Sequence, residues 1–129
     1  MNQTKPIETS TVSMEIKDDV LYIVVKEDAD LDLKAIVEAV EARKKLQGGK
    51  KMLVLVDNRK IWQISEEANK YSASKEVGEL SIAMALLSGS SLPNRLIGNF
   101  FIKFNKLYCP TKMFKSEKKA LKWLKSFSN

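Results

Sequence analysis

Residues 52–56, Met-Leu-Val-Leu-Val, form an unbroken apolar run that constrains this chain more than any other stretch. Five consecutive apolar residues suit a strand covered on both faces, as in parallel sheets flanked by helices. Two glycines precede the run, and Asp57 follows it at the edge where ligands of open α/β sheets usually bind. The run therefore predicts the central strand of an α/β fold and a candidate functional edge.

The flanking sequence predicts a hairpin followed by βα repeats. Apolar alternation over 11–17 and the run 20–25 predict antiparallel strands that are joined by a turn at Asp18 and Asp19. Further elements are expected as helix 32–46, strand 51–57, helix 65–77, strand 80–87, helix 93–105, strand 109–114 and helix 116–127. The order is β-β-α-β-α-β-α-β-α, an α/β fold with a mostly parallel sheet of four or five strands. We expect a flexible tail over 1–10 and one domain over 11–129.

The helix over 32–46 shows the amphipathic spacing of three and four residues. Gly48 or Gly49 is expected to end it in the left-handed conformation. The side chains expected on its inner side are Leu33, Ile36, Val37, Val40 and Leu46.

Composition excludes several kinds of chemistry. The chain has no histidine and a single cysteine, Cys109, which excludes histidine-based metal sites and triads and an internal disulfide. We therefore expect no metal, no cofactor and no catalytic activity. The N-terminus lacks the apolar centre of a signal peptide, and no apolar run reaches the roughly 20 residues that span a bilayer, so we expect a cytoplasmic protein.

Charge is concentrated near the C-terminus. Residues 92–129 contain nine Lys and Arg and one acidic residue, Glu117. Their net charge is therefore +8, and that of the first 91 residues is −2. Lysines gather on one face of the last predicted helix. Such a face is usually solvated, although an acidic membrane surface is an alternative partner. It lacks interleaved aromatic residues, so we do not expect nucleic-acid binding.

Four segments carry a family resemblance: LVLVDNRKI, IAMALLSGSS, LPNRLIGNFFIKFN and MFKSEKKALKWLKS. With the predicted element order, they make the chain from about residue 11 resemble the STAS fold of anti-sigma-factor antagonists (SpoIIAA-like) and uncharacterised bacterial STAS/SEC14-like proteins. The resemblance implies a noncatalytic regulatory or protein-interaction module. Regulatory members carry an Asp-Ser pair among small residues where a kinase acts. Here Ser65 opens the corresponding helix without those neighbours, so no intact phosphoserine motif is present.

Polar residues follow the two central strands and are the candidate ligand-binding or interaction residues. Because strand exits share one sheet edge, these side chains could line a crevice in which Arg59 and Arg95 suit an anionic group. Alternatively, Asp57 simply accepts hydrogen bonds from loop amides. The full set is Asp57, Asn58, Arg59, Trp62, Ser65, Ser88, Ser90, Asn94, Arg95 and Asn99.

Ile61, Trp62 and Ile102 are apolar residues outside the regular core pattern, and together they predict an exposed patch. A homodimer, or contact with another protein, is the first functional hypothesis. The second is a small apolar or amphipathic ligand, which the SEC14-like resemblance implies. In that case the 65–77 helix would be a lid over Trp62, Tyr71 and the phenylalanines of the 93–105 helix.

Overall fold

The computed structural model describes residues 5–61 and 63–128, without the side chains of residues 92, 93, 100 and 104. Its strands form one six-stranded sheet whose spatial order is the order of the chain. The first three strands pair antiparallel, and the third to the sixth pair parallel. The strands are β1 (Ile7–Glu8), β2 (Val12–Lys17), β3 (Val20–Val25), β4 (Met52–Asp57), β5 (Ser81–Leu87) and β6 (Thr111–Phe114).

Five helices connect and cover these strands. Each helix begins after an Asp or Ser whose side chain accepts a hydrogen bond from the backbone N–H three residues later, which satisfies an otherwise free helix amide. The helices are α1 (Leu33–Gln47), α2 (Glu66–Ser72), α3 (Lys75–Gly78), α4 (Leu92–Phe104) and α5 (Glu117–Lys125).

The two faces of the sheet are covered unequally. Alternate residues of β4 point to opposite faces. Met52 and Val54 lie in the core beneath α1 and α4, which we call the four-helix face because α2 and α3 also lie on it. Leu53 and Leu55 pack against α5, on what we call the one-helix face. The functional candidates must therefore be assigned to one face or the other.

The predicted turns have the expected backbone geometry. Asp18 and Asp19 link β2 to β3 with φ of 51° and 65°, the sign that a two-residue hairpin turn of type I′ requires. Gly48 ends α1 with φ of 61°, and its N–H donates to the Lys44 carbonyl. The first feature sets the register of the β2–β3 hairpin, and the second ends α1 shortly before β4.

Three expectations about local structure are corrected. Ile7–Glu8, inside the stretch interpreted as a tail, pairs with β2 as a sixth strand. The single helix expected over 65–77 is two helices, because Ser74 accepts from the Val77 N–H and starts a new one. Leu33 and Val37 are each 37% exposed, because α1 turns Ala35 and Arg43 inward instead, while Val40 is buried as expected.

Candidate functional site

Asp57 and Arg59 form a self-contained ion pair at the end of β4. Arg59 donates from Nη2 to Asp57 Oδ2 (2.7 Å) and from Nε to Oδ1 (3.0 Å), and its backbone N–H also reaches Oδ1 (3.1 Å). Burial alone would raise the pKa of Asp57, but these hydrogen bonds and the positive charge of Arg59 outweigh burial and lower it. Both oxygens of the Asp57 carboxylate thus already accept hydrogen bonds from Arg59 in the same loop.

The predicted crevice is closed by Asn94, which is 1% exposed. Its Oδ1 accepts from the Gly89 N–H (2.6 Å), while its Nδ2 donates to the carbonyls of Asn58 (2.5 Å) and Ile61 (2.6 Å). One amide therefore ties the loops after β4 and β5 to the start of α4. We call this set of hydrogen bonds from the Asn94 side chain to Gly89, Asn58 and Ile61 the seam.

The remaining edge candidates do not converge on one point. Strand alternation places Asp57 on the one-helix face and Ser88 on the four-helix face. Ser88 is buried, and its N–H donates to the Phe114 carbonyl (2.8 Å). Arg95 and Asn99 are exposed on α4. The structure therefore does not bring Arg59 and Arg95 together with Ser88 into a single polar crevice.

Ser65 has a clear local role. Its side chain caps α2 by accepting from the Ala68 N–H (3.1 Å), and its own N–H donates to the Leu31 carbonyl (3.1 Å). Ser65 is half-buried. These contacts hold the start of α2 against the loop that leads into α1.

The predicted exposed patch is wrong for Ile61, which is 6% exposed. A turn in which the Ile61 N–H donates to the Asn58 carbonyl (3.0 Å) folds this side chain into the core. Ile102 is half-buried and packs against the same core, because α4 presents it inward beside Phe101. Trp62 lies outside the described residues. The homodimer itself remains a prediction.

A cavity of about 140 Å³ lies within the four-helix face. Strands β2 to β5 form one wall and helices α1 to α4 form the other. Fifteen of its twenty lining residues are apolar, and the other five are Gly98, Arg43, Asn58, Asn69 and Ser72. The apolar lining residues are Val12, Ile23, Val25, Leu31, Ile36, Ala39, Val40, Val56, Ile61, Ile64, Val77, Met84, Leu86, Ile97 and Phe101.

The segment predicted as a lid does line this cavity, through Asn69 and Ser72 of α2 and Val77 of α3. Tyr71 does not belong to the lining, and its hydroxyl donates to Glu76 (3.2 Å). Phe101 is a lining residue, whereas Trp62 and the side chains of residues 100 and 104 lie outside the description. The cavity is thus bounded by two short helices joined at Ser74.

Arg43 is the functional candidate that the sequence analysis missed. It lines the cavity from α1 and is 3% exposed. Its Nε donates to Gln47 Oε1 (2.5 Å) and its Nη2 to Ser81 Oγ (2.6 Å). Burial lowers the pKa of Arg43 to about 10, with an opposing effect from Cys109, so the guanidinium stays charged at neutral pH.

A sequence signal for Arg43 did exist. Arg43 follows Ile36 by seven residues and Val40 by three, so it occupies the apolar stripe of α1. A cation on such a stripe is unusual, because charged residues are rarely fully buried without a partner. Within residues 5–61 and 63–128, no carboxylate forms an ion pair with it.

The polar residues of α2 are partly occupied by their own neighbours. Asn69 Oδ1 accepts from Asn105 Nδ2 (2.9 Å), and Ser72 Oγ donates to the Ala68 carbonyl (2.8 Å). The site therefore combines an apolar wall, one buried cation and three neutral polar residues, Asn58, Asn69 and Ser72. In the described part of the chain, no three Asp, Glu or Cys side chains gather as a metal site would require. Each helix in the described ranges is too short or too polar to span a bilayer.

The fold belongs to the SpoIIAA-like class, as the sequence predicted. A crystal structure of an uncharacterised protein of the DUF3478 family with a SpoIIAA-like fold, from Shewanella loihica PV-4, aligns with a TM-score of 0.63. The alignment covers 94% of this chain and 98% of that one at 15% identity, so the likeness shows the fold alone.

The sequence profile of a family described as Domain of unknown function (DUF7793) matches residues 14–128, and the chain belongs to this family. A protein of unknown function from Arthrobacter sp. FB24 is 30% identical over 83% of this chain and 92% of that one, with a TM-score of 0.31. No curated protein matches the chain.

Proposed function

We propose that this protein is a noncatalytic SpoIIAA-like module that binds a small apolar or amphipathic ligand between its sheet and helices α1 to α4. The observation that supports this proposal is the 140 Å³ cavity with its mainly apolar lining. An engineered apolar cavity of about 150 Å³ in another protein accepts benzene. The volume therefore suits a ligand, or a ligand tail, of about six carbon atoms.

The expected affinity is modest. Burial of six methylene groups stabilises a complex by roughly 5 kcal/mol before the cost of association is subtracted. The dissociation constant of a purely apolar ligand is therefore expected to be millimolar or weaker. Screening at micromolar ligand would miss it.

The test is an NMR titration of ¹⁵N-labelled protein with benzene and hexan-1-ol at millimolar concentration. We expect saturable shifts at the amides of Ala39, Val56 and Ile97, which line the cavity. The variant Ala39→Leu fills the cavity and should abolish these shifts. Val37→Leu places a leucine on the exposed side of α1, away from the cavity, and should bind like the wild type.

Absence of saturable shifts in the folded wild type would refute the proposal. Equal binding by Ala39→Leu and wild type would place the ligand elsewhere and would also refute it. Native mass spectrometry of freshly purified protein adds an independent search for a retained ligand.

Action through protein contacts is the second candidate, and one observation favours it. Leu33 and Val37 lie one helical turn apart on α1 and are each 37% exposed, which forms a small apolar pair on the outer surface. If a homodimer uses this pair, Val37→Lys should weaken it and Val37→Leu should preserve it. A wild-type mass of one chain by light scattering at high micromolar concentration would exclude the dimer.

A further inference from the structure

We infer that the cavity ligand is a small monocarboxylate whose head group pairs with Arg43 and whose short apolar tail fills the remaining volume. This inference rests on the proposed ligand-binding function and specifies its chemical class. It follows from the position, the surroundings and the hydrogen bonding of one side chain. It concerns short aliphatic or small aromatic acids.

No described carboxylate balances the charge of Arg43, and the one ionisable side chain that acts on its pKa is the thiol of Cys109. The side chain is 3% exposed, and within residues 5–61 and 63–128 its hydrogen-bond acceptors are the neutral oxygens of Gln47 and Ser81. A buried charge without an ionic partner is strongly destabilising, and an apolar residue of similar length is often better tolerated. A ligand anion would supply the missing charge at a position that already borders the cavity.

Arg43 also has unused donors. A guanidinium carries five N–H groups, and the two hydrogen bonds to Gln47 and Ser81 leave three without a described acceptor. Two N–H groups of a guanidinium match the two oxygens of a carboxylate in a planar, bidentate arrangement. The free donors therefore fit a carboxylate better than a single hydroxyl.

The position does not need an arginine to join α1 to β5. Gln47 Nε2 already donates to the carbonyls of Lys50 (2.7 Å) and Leu80 (3.0 Å), which secures the end of α1 beside the start of β5. Arg43 adds a further hydrogen bond between the same two elements, to Ser81 Oγ, and a neutral donor could supply that bond without a charge. The additional buried cation calls for another partner.

The lining also limits the head group to a single negative charge. Among the described lining residues Arg43 is the one cation, and none is acidic. Asn69 and Ser72 are neutral and partly occupied by their own neighbours. One guanidinium balances a monocarboxylate, whereas a phosphate monoester would bring close to two charges into an apolar space.

The test compares pairs of ligands that share a tail and differ in the head: hexanoate with hexan-1-ol, and benzoate with benzyl alcohol. At pH 7 we expect wild-type protein to bind each acid at least about tenfold more tightly than its alcohol, because the charged hydrogen bonds are the stronger ones. Binding is measured by NMR titration. Arg43→Met should reduce the ratio to about one while alcohol binding persists, and Arg43→Lys should retain part of the preference.

The outcomes separate this inference from the proposed function. Equal binding of acid and alcohol by the wild type would overturn the carboxylate while leaving the apolar ligand in place. Failure of both members of each pair would refute both. If Arg43→Met does not fold, ¹⁵N spectra of the Arg43 side chain decide the question, because hexanoate must shift its Nε–H signal and hexan-1-ol must not.

Discussion

The two faces of the sheet are built from similar residues and packed differently. On the one-helix face, α5 places Ala120 and Leu124 directly on Leu53 and Leu55, and all four are at most 3% exposed. Trp123 then bridges the rim between two phenylalanines, with ring centroids 5.6 Å from Phe114 and 4.9 Å from Phe127. The four-helix face has more helices but encloses a cavity. More cover does not mean closer packing.

Chain connectivity explains the difference. The sheet order follows the chain, so the three parallel crossovers from β3 to β6 advance in one direction. Since such crossovers are right-handed, their helices all lie on the same face, and α5, which follows β6, is free to cover the other. On the four-helix face α2 and α3 are short and are interrupted at Ser74, and the cavity lies beside them, whereas α5 alone packs its buried side chains directly on the sheet.

The largest expected effect tests the close packing of the one-helix face. Leu124→Ala should lower the free energy of unfolding by about 2–5 kcal/mol, because Leu124 is fully buried against the sheet. Ile97→Ala on the four-helix face should lower it by less than about 2 kcal/mol, because Ile97 already borders empty volume. Urea denaturation measures both, and equal losses would show that the two faces do not differ.

The seam at the carboxyl edge of the four-helix face is tested by Asn94→Ala. The variant leaves buried carbonyls of Asn58 and Ile61 without their donor, so we expect a loss of about 2–3 kcal/mol. Asn99→Ala is the matched control, because Asn99 is exposed on the same helix and should change stability by less than about 0.5 kcal/mol. Similar melting temperatures for the two variants would show that the seam contributes nothing.

Added volume distinguishes the faces directly. Ala85→Leu on the one-helix face should lower the free energy of unfolding by about 1–3 kcal/mol, because Ala85 is fully buried in a close-packed layer. Ala39→Leu, at the cavity, should change it by less than about 1 kcal/mol, because the new methyl groups enter existing space. If Ala39→Leu proves the more damaging, the cavity is not available volume.

The smallest effect concerns the polar rim of the one-helix face. Asp57→Asn should lower stability by less than about 1 kcal/mol, since the partner Arg59 side chain is half exposed and solvent screens the pair. The pKa of Asp57 is lowered in the folded protein, so this contribution is present above its unfolded pKa and is lost as pH falls through the folded value. Unfolding at pH 7 and in acid should therefore show a difference between wild type and variant only at pH 7.

Local structure could be predicted from the sequence wherever a residue type has one physical use. The Asp18–Asp19 turn, the start of α2 after Ser65 and the end of α1 at Gly48 all follow from backbone geometry and hydrogen bonding within a few residues, whereas the second start at Ser74 was missed. β1 was missed because two residues cannot show alternation, and they form a strand only by pairing with β2.

The site could be predicted less well, because it depends on distant contacts. Leu33 and Val37 fitted the apolar stripe, yet the rotation of α1 against the sheet buries Arg43 instead. Ile61 looked exposed because its side chain packs against core residues distant in the chain, and its carbonyl accepts a hydrogen bond from Asn94, 33 residues away. No single stretch of sequence could predict the cavity, because its lining comes from four strands and four helices that meet only in the folded chain.

The chain-ordered sheet also has a consequence for synthesis on the ribosome. Each new strand emerges beside a neighbour that has already been made, so the sheet can grow in the direction of translation. α5 comes last, and among the described helices it is the one that packs on Leu53, Leu55 and Leu87. Until residues 117–125 leave the exit tunnel, those side chains remain exposed to water. The nascent chain is therefore most prone to aggregation in the interval after β5 has emerged and before α5 has emerged.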